Sequence, residues 1–343
     1  MSRGVKVTVA GAGALGLCSA LALADAGCEV TVWDPAPEAN ASAVAGGMIA
    51  PAFEAALDPE AAPAFDLLMA ARNLWPALEA RAGVALDRSG AVGVGPPDWL
   101  GALQAGFVRL GLRMTELPRV TLEDLAPGLS PAFADGLMTR EDWRLEPGPA
   151  MAALRGAATA AGVAFRTRRA ADAGEGDWLV VATGADPGLA DVAPELARLT
   201  PIKGHILRLA GAPQGLCTVR APGVYAVPGD GGLALGATME VGVSDPNPDP
   251  AQAERLLSAG VGLFPALAGA RPQVFAGVRA ATPDGLPMVG PSSTERVILA
   301  TGARRNGWLL APLVAQVVAA CVTGRDPGPY AARLHPARFG GGA

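Results

Sequence analysis

The stretch that decides the fold is VKVTVAGAGALGLCSALALADAGCEVTVWD, residues 5–34. Its first segment, VKVTVA, alternates and is rich in valine, which is typical of a buried strand. Three glycines in the G-x-G-x-x-G pattern then lead into an apolar, helix-like run: Gly11, Gly13 and Gly16. A second valine-rich segment ends at Asp34, 18 residues after Gly16. This order of strand, glycine-rich turn, helix, strand and acid predicts a dinucleotide site, but it does not distinguish NAD from FAD.

Each part of the motif has a physical role in binding. Gly11 permits the tight turn, Gly13 lets the backbone approach a pyrophosphate, and Gly16 lets helix and strand pack closely. The helix N-terminus offers N–H groups and the positive end of its dipole to phosphates. Asp34 would accept hydrogen bonds from the ribose hydroxyls. Beyond the glycines, we therefore predict cofactor contacts from Ala14, Leu15, Asp34 and Pro35.

Composition limits the remaining possibilities. The chain has 343 residues, of which 50% are hydrophobic and 17% charged, so it can bury the cores of two globular domains. Its net charge is −5 and no basic run occurs, which argues against a nucleic-acid partner. Four cysteines without CxxC spacing and two histidines predict neither disulfides nor a metal site. His205 is interpreted as a strand residue rather than a catalyst.

The location follows from the same residues. The N-terminal apolar run resembles a signal peptide, but it carries regularly spaced glycines and continues through charged residues into a second strand. No apolar run reaches the roughly 20 residues that a membrane span needs. Reduced thiols fit the cytoplasm best, and we expect a cytoplasmic protein that forms a homo-oligomer of a size that the sequence does not show.

Three later segments extend the predicted cofactor site. ASAVAGGMI, after the second strand, has glycines that allow a close backbone approach to a ligand. The segments DWLVVATG and RVILATG each predict a strand that ends in Thr-Gly, where ligands of parallel sheets tend to lie. An ordinary Ala/Gly-rich connection stays open as the alternative for the first segment. The predicted contacts are Ser42, Gly46, Gly47, Met48, Thr183, Gly184 and Gly302.

These segments also suggest how the chain is divided. The nucleotide-binding domain is predicted to be discontinuous, because its strands lie at both ends and in the middle of the chain. It comprises residues 1–47, 141–192 and 273–343, and a second domain comprises 48–140 and 193–272. Within the second domain, VYAVPGDGGLALGATME predicts a β-hairpin around a turn at PGDGG.

The ordered segments resemble the FAD-dependent D-amino-acid oxidase family, and within it the glycine oxidases of thiamine biosynthesis. The matching stretches include GAGALG, AGGMIAP, VVATGA, PIKGHIL, LALGATME, TPDGLPMVG and ATGARRNGWLLAP, and they run from end to end. The resemblance implies an α/β fold with a GxGxxG, Rossmann-like FAD-binding domain and a second α+β substrate domain built on an antiparallel sheet. It implies non-covalent FAD, since no cysteine lies near residues 282–284, where related sarcosine oxidases attach flavin.

Arg279 is the main candidate for substrate binding. In the predicted strand FAGVRA, Phe275, Gly277 and Arg279 share one face. A guanidinium on an otherwise apolar strand needs an anion, because an unpaired buried charge is very unfavourable. That anion can be a substrate carboxylate, held by two parallel hydrogen bonds, or a carboxylate of the protein itself. The resemblance favours the substrate carboxylate.

Further site residues are carried over from the resemblance. Tyr225 matches a residue that helps to bind the carboxylate, whereas its ordinary role would be packing. Met48 and Met239 match residues of the small pocket beside the flavin, although methionines commonly fill cores. Arg305 matches the arginine of the flavin loop, and its neighbour Arg304 is interpreted as a solvated charge. The following helix would stabilise the reduced flavin through the backbone N–H groups at its start, those of Asn306, Gly307, Trp308 and Leu309.

The implied activity is oxidation of a small amino acid, with glycine first and sarcosine or D-alanine next. Hydride passes from the α-carbon to FAD, the imine hydrolyses, and oxygen is reduced to hydrogen peroxide; in the thiamine branch, the imine enters thiazole synthesis. Two departures from the family pattern lie near the substrate: Ala280 stands where proline is usual, and Ala303 where histidine is common. The alternatives are a flavin dehydrogenase that uses a quinone or other acceptor, and a non-catalytic nucleotide-binding module.

Overall fold

Two large β-sheets organise the molecule. The computed structural model describes the chain in three stretches, residues 4–212, 215–229 and 231–340. Its strands are β1 (Lys6–Ala10), β2 (Glu29–Trp33), β3 (Met48–Ile49), β4 (Ala91–Gly93), β5 (Thr115–Pro118), β6 (Asp135–Thr139), β7 (Trp143–Arg144), β8 (Ala164–Arg166), β9 (Trp178–Val181), β10 (Thr200–Ala210), β11 (Thr218–Ala221), β12 (Val224–Gly229), β13 (Gly232–Gly236), β14 (Glu240–Val241), β15 (Gln273–Ala281), β16 (Met288–Pro291) and β17 (Val297–Thr301). Its α-helices are α1 (Ala14–Asp25), α2 (Ala41–Val44), α3 (Pro51–Leu57), α4 (Phe65–Ala82), α5 (Pro97–Arg109), α6 (Arg119–Leu125), α7 (Pro147–Ala160), α8 (Pro250–Leu263), α9 (Gly307–Thr323) and α10 (Ala331–Leu334).

The first sheet is the predicted nucleotide-binding sheet. Its six strands follow the order β16–β17–β9–β1–β2–β8, and all neighbours are parallel except β16 and β17. Helix α1 connects β1 to β2 and packs against α9, and the two helices share one buried apolar core. No helix within the described stretches is both long and apolar enough to cross a bilayer.

The parallel strands place the predicted cofactor residues along one edge. The carboxyl ends of parallel strands meet at the same edge of a sheet. Strands β17, β9, β1 and β2 are consecutive neighbours, and the predicted glycines or acid follow directly after each of them. The edge therefore carries Gly302, Thr183, Gly184, Gly11 and Asp34.

The second sheet has nine strands and is mostly antiparallel. Its main path is β14–β10–β13–β12–β11–β4–β6–β5, and β15 pairs with β10. Among the described strands of this sheet, only the β11–β4 pair is parallel. The predicted hairpin is present as β12 and β13, which pair antiparallel, while residue 230 of its turn lies outside the described residues. The fold class is therefore the predicted one, an α/β sheet beside an α+β unit.

Strand β15 bears on the domain boundaries. Residues 273–281 were predicted to belong to the nucleotide-binding domain, but all nine residues of β15 pair with β10 of the large sheet. Pairing along the whole strand satisfies its backbone N–H and C=O groups on that side. The division of the chain into domains otherwise stays a prediction.

Candidate active site

Strand register places the predicted substrate residues on one face of the large sheet. The residues of β10 that oppose Arg279 and Gly236 are four positions apart, so they share a face. Gly236 also opposes Tyr225, and Tyr225 opposes Arg220 on the next strand. Since directly opposed side chains lie on the same side of a sheet, Arg279, Tyr225 and Arg220 all project from one face.

Glycines make room for these side chains. A Cβ atom at Gly204 would lie 2.2 Å from Nη1 of Arg279, so the guanidinium extends across that glycine. At Gly236, a Cβ atom would lie 2.2 Å from Cζ of Tyr225. A Cβ atom at Gly46 would approach the same ring to 3.1 Å. We call the face of the large sheet that carries Arg279, Tyr225 and Arg220 the substrate face. The predicted cofactor segment at Gly46 therefore lies directly against Tyr225 of this face.

The Arg279 guanidinium has hydrogen-bond donors left for an anion. Its Nη1 donates to the carbonyl oxygen of Thr238 at 3.3 Å, and among the described residues it makes no ion pair with a carboxylate. Burial lowers the pKa of Arg279, which reflects the unfavourable enclosure of a charge without a counterion. Burial raises the pKa of the Tyr225 hydroxyl, which therefore stays a hydrogen-bond donor at neutral pH. The two side chains offer donors suited to a carboxylate.

The two adjacent arginines form an ion-pair cluster. Arg304 Nη1 lies 3.0 Å from Asp58 Oδ2 and 2.8 Å from Glu60 Oε2. Arg305 Nη2 also contacts Asp58 and lies 2.8 Å from Oε2 of Glu54. The interpretation of Arg304 as a solvated charge is therefore wrong: its side chain is 21% exposed, against 30% for Arg305. Its two carboxylate partners hold it against the loop that follows α3.

Arg305 connects this cluster to the predicted pocket. Burial alone would lower the pKa of Arg305, but the carboxylates of Glu54 and Asp58 raise it above its ordinary value. Its Nη1 lies 4.0 Å from the sulfur of Met239, which was predicted to line the substrate pocket. Arg305 therefore faces the pocket residue while its charge is neutralised from the other side.

Glu54 and Asp58 were missed in the sequence. Glu54 lies in the first turn of α3, and Asp58 follows the helix directly. Asp142 holds the start of this helix by accepting from the N–H groups of Ala52 and Phe53 at 2.8 and 3.1 Å. A pair of acids four residues apart in an otherwise apolar segment was the available signal, because this chain has few charges. Their arginine partners lie too far along the sequence to be paired with them by spacing.

The glycine motif is packed as the prediction requires. Gly11 has φ +107°, and a Cβ atom there would lie 2.3 Å from the carbonyl oxygen of Ala182. A Cβ atom at Gly16 would lie 2.0 Å from the carbonyl oxygen of Gly11. Only glycine fits at either position, so strand β1, helix α1 and strand β9 meet without intervening side chains. This cradle and the N–H groups at the start of α1 fit the pyrophosphate of a dinucleotide.

Asp34 and Ser42 border that helix terminus. Asp34 Oδ2 accepts from the N–H of Ala12 at 2.7 Å, and its Oδ1 accepts from Ala36 at 2.8 Å. An ionised carboxylate has about four acceptor positions, so capacity remains for ribose hydroxyls. The Ser42 hydroxyl accepts from the N–H of Ala14 at 3.0 Å, which places a hydroxyl at the phosphate end of α1. Both placements agree with a dinucleotide at this edge, and their ligand contacts stay predictions.

The remaining edge residues have mixed environments. Gly47 has φ +71° and packs against the backbone of Leu145, so packing already accounts for it. The Thr301 hydroxyl donates to the carbonyl oxygen of Gly184 at 3.0 Å, which joins the two strand ends. Thr183 donates to the carbonyl oxygen of Asp186 at 3.1 Å. Gly302 has φ +83° and leaves β17 towards the arginine loop.

Helix α9 begins where the sequence predicted. Asn306 precedes its first residue, Gly307, and accepts no hydrogen bond on its side chain from the helix N-terminus. Trp308 and Leu309 are buried, and the Trp308 indole donates to the carbonyl oxygen of Ser42 at 3.0 Å. Their side chains belong to the core, so only the backbone N–H groups of this turn remain for a cofactor.

Three predicted residues are not brought into these contacts. Met48 lies in β3, where it pairs with Arg144. Leu15 packs against the apolar core around α1, and Pro35 is exposed after β2. Nothing in their surroundings distinguishes a cofactor contact from an ordinary structural position.

His205 supports the substrate face from behind. It is fully buried in β10, as its interpretation as a strand residue required. Its Nε2 accepts from the N–H of Asp249 at 2.8 Å, and its Nδ1 lies 2.9 Å from the Thr238 hydroxyl. The ring is therefore neutral, with its proton on Nδ1. Because the carbonyl of Thr238 contacts Arg279, His205 fixes a residue that orients the guanidinium, a contact that sequence patterns do not reveal.

The two buried cysteines are not reactive groups. Burial raises the pKa of Cys18 to about 12 and that of Cys217 to about 11. Thiols that stay protonated are poor nucleophiles. Within the described stretches, no group of three or more His, Cys, Asp or Glu side chains is arranged to hold a metal ion.

The chain matches a known family over most of its length. Residues 6–321 match the family described as "FAD dependent oxidoreductase". The "Putative thiamine biosynthesis oxidoreductase ThiO" of Rhizobium etli is 33% identical over 92% of this chain and 95% of its own length. The "Bifunctional protein ThiO/ThiG" of Trichormus variabilis is 29% identical over 97% of this chain. The chain spans 55% of that relative, and about half the length of several other curated relatives.

A solved structure has the same fold. The crystal structure of glycine oxidase from Geobacillus kaustophilus superposes with a TM-score of 0.80 and 24% sequence identity. The superposition covers 98% of this chain and 100% of that chain, so both large sheets have their counterparts. At this identity, the likeness shows a shared architecture and leaves the substrate to be argued from the site itself.

Proposed function

Because the chain belongs to the family of FAD-dependent oxidoreductases, we propose that it oxidises the carbon–nitrogen bond of a small amino acid, with glycine as the first candidate. The family membership confirms the resemblance and the FAD cofactor that the sequence predicted. The observation that carries the proposal is Arg279, which makes no ion pair with a carboxylate among the described residues and lies beside the protonated Tyr225.

The chain's own groups would position the substrate. Arg279 and Tyr225 would hold its carboxylate, and the neighbouring glycines keep this part of the face free of other side chains. Bound FAD would accept a hydride from the α-carbon of the neutral amine. No general base of the protein is assigned, since the residues fix geometry and exclude competing orientations.

Several finer points belong to the same proposal. The released imine would hydrolyse to glyoxylate and ammonia, and oxygen would be reduced to hydrogen peroxide. The name of the Rhizobium etli relative supports a role in thiamine biosynthesis, and we propose that the imine passes to a thiazole-forming partner. The protonated, buried thiols support non-covalent FAD, and a homo-oligomer in the cytoplasm stays a prediction.

A peroxide assay tests the activity. Purified protein with bound FAD should form hydrogen peroxide in air with glycine, sarcosine or D-alanine, and acid precipitation should release the flavin into the supernatant. Activity that appears only with an artificial electron acceptor would replace the oxidase by a dehydrogenase. Absence of turnover with all three amino acids under both conditions would contradict the proposal and leave a nucleotide-binding module.

A further inference from the structure

A cavity other than the predicted pocket of Met48 and Met239 adjoins the substrate face, and we call it the second cavity. Its volume is about 320 Å³, and its lining comprises Phe53, Glu54, Leu57, Asp58, Arg220, Arg304 and Arg305. It meets the predicted pocket at Arg305, whose guanidinium contacts Met239. It also meets the substrate face at Arg220, which is the direct strand neighbour of Tyr225.

Arg220 is held in place but incompletely bonded. Its side chain is 11% exposed, and its guanidinium lies 5.3 Å from the centre of the Phe53 ring. Its Nη2 lies 3.4 Å from Oε1 of Glu54, which is a long distance for an ion pair. Its buried Nε has no hydrogen-bond acceptor among the described residues. This Nε is enclosed by the protein, so an anion in the cavity would be bound by the terminal guanidinium nitrogens, of which only Nη2 has an acceptor among the described residues.

The carboxylates of the cavity do not neutralise its arginines. Three guanidinium groups face two carboxylates, those of Glu54 and Asp58. Glu54 is divided between two arginines, and its Oε2 lies 2.8 Å from Arg305 Nη2 without hydrogen-bonding geometry. A third acid, Glu60, binds Arg304 from a position that is 65% exposed, where water weakens the interaction. Asp142, which is fully buried and interacts with the charge of Arg220, has its pKa raised to about 7 by burial, so at neutral pH it neutralises Arg220 only in part.

We infer that this cavity is an anion subsite next to the α-carboxylate position, and that Arg220 makes the enzyme accept small amino acids with a second carboxylate. The inference rests on the proposed function for the position of the first carboxylate. Arg279 and Tyr225 hold the α-carboxylate, while Arg220 receives the side-chain carboxylate from the neighbouring strand. Arg220 is thus a residue that determines substrate specificity.

Succinate and butyrate test the subsite without turnover, because they have four carbons each and differ by one carboxylate. Calorimetric titration of the FAD-loaded protein should show that succinate binds at least about 10-fold more tightly, as expected for a charge-assisted hydrogen bond. Arg220→Gln should remove this difference while leaving butyrate within about 2-fold of its original affinity. Arg113→Gln, at an exposed position, should change neither affinity.

A second variant gives the opposite expectation. Glu54→Gln removes the carboxylate that competes for Arg220, so it should increase the preference for succinate. This result remains decisive if Arg220→Gln does not fold. Equal affinities of the unaltered protein for succinate and butyrate would overturn the inference, as would equal weakening of both by Arg220→Gln. Since the titration needs no turnover, these failures are distinguishable from a negative peroxide assay.

Discussion

His205 shows how a residue remote from the ligand can define the site. Its neutral ring lies between the N–H of Asp249 and the hydroxyl of Thr238, and Thr238 in turn accepts a hydrogen bond from Arg279. Each link is a directional hydrogen bond in a buried setting, so a change at His205 reaches the guanidinium by geometry rather than by charge.

The same residue predicts a pH dependence of stability. Burial lowers the pKa of His205 below its ordinary value of 6.5; Glu240 raises it and Lys203 lowers it further. As the pH falls through about 6.5, the unfolded chain therefore binds the proton first. The free energy of unfolding should fall with the pH below that value, and should do so less steeply in His205→Asn, whose amide N–H can still donate to Thr238.

Denaturant titrations between pH 7 and pH 5 measure this difference. Asp142 responds in the opposite direction, because burial raises its pKa to about 7, but it is common to both proteins. The comparison between the proteins therefore isolates the histidine. Parallel pH profiles would show that His205 is not held neutral by its surroundings.

Single residues were only partly predictable. The period of two in a strand correctly put Phe275, Gly277 and Arg279 on one face. The roles of Arg304 and Arg305 were harder to separate, because Asp58 lies 246 positions from Arg304 in the sequence. Spacing rules describe local neighbours, whereas this cluster forms only when α3 meets the loop before α9.

At the scale of elements, the close contact between helix α1 and the turn after β1 requires that Gly16 has no Cβ atom. A Cβ at Gly16 would lie 2.0 Å from the carbonyl oxygen of Gly11, which is backbone and cannot rotate away. Gly16→Ala should therefore displace the helix N-terminus, lower the melting temperature and remove most of the bound FAD. Flavin content per protein and thermal unfolding measure the two effects.

Gly156 in α7 is the matched control. It is also helical, but a Cβ atom there meets no atom within 4 Å. Gly156→Ala should keep the flavin and increase stability by about 0.4–1 kcal/mol, because alanine loses less backbone entropy on folding. Full flavin content in Gly16→Ala would contradict the role assigned to the close contact.

Elements with local signals were predicted well. Strands β1, β2, β9 and β17 were each visible as valine- or leucine-rich runs that end at glycine or Asp34, and α1 and α9 begin next to those residues. The partner of β15 was not predictable in the same way. Its sequence defines a strand, but its pairing with β10 depends on a segment more than 60 residues earlier in the chain.

For the whole molecule, the two sheets bring together residues that are distant in sequence. Gly46 of the cofactor segment approaches Tyr225 of the large sheet, and Arg305 approaches both α3 and Met239. The order of motifs along the chain predicted this architecture through the family resemblance. It did not predict the second cavity, whose lining comes from three separate parts of the chain.

The central claim is that Arg279 orients a small amino acid for oxidation by FAD, and anaerobic mixing with glycine tests it most directly. Without oxygen, the yellow flavin absorbance of the unaltered protein should be lost, and Arg255→Ala, an exposed change on α8, should behave alike. Arg279→Ala should keep its FAD but require at least about 10-fold more glycine for the same rate, since charge-assisted hydrogen bonds are lost. An unchanged absorbance with glycine, sarcosine and D-alanine, or an equal glycine requirement in Arg279→Ala, would contradict the claim.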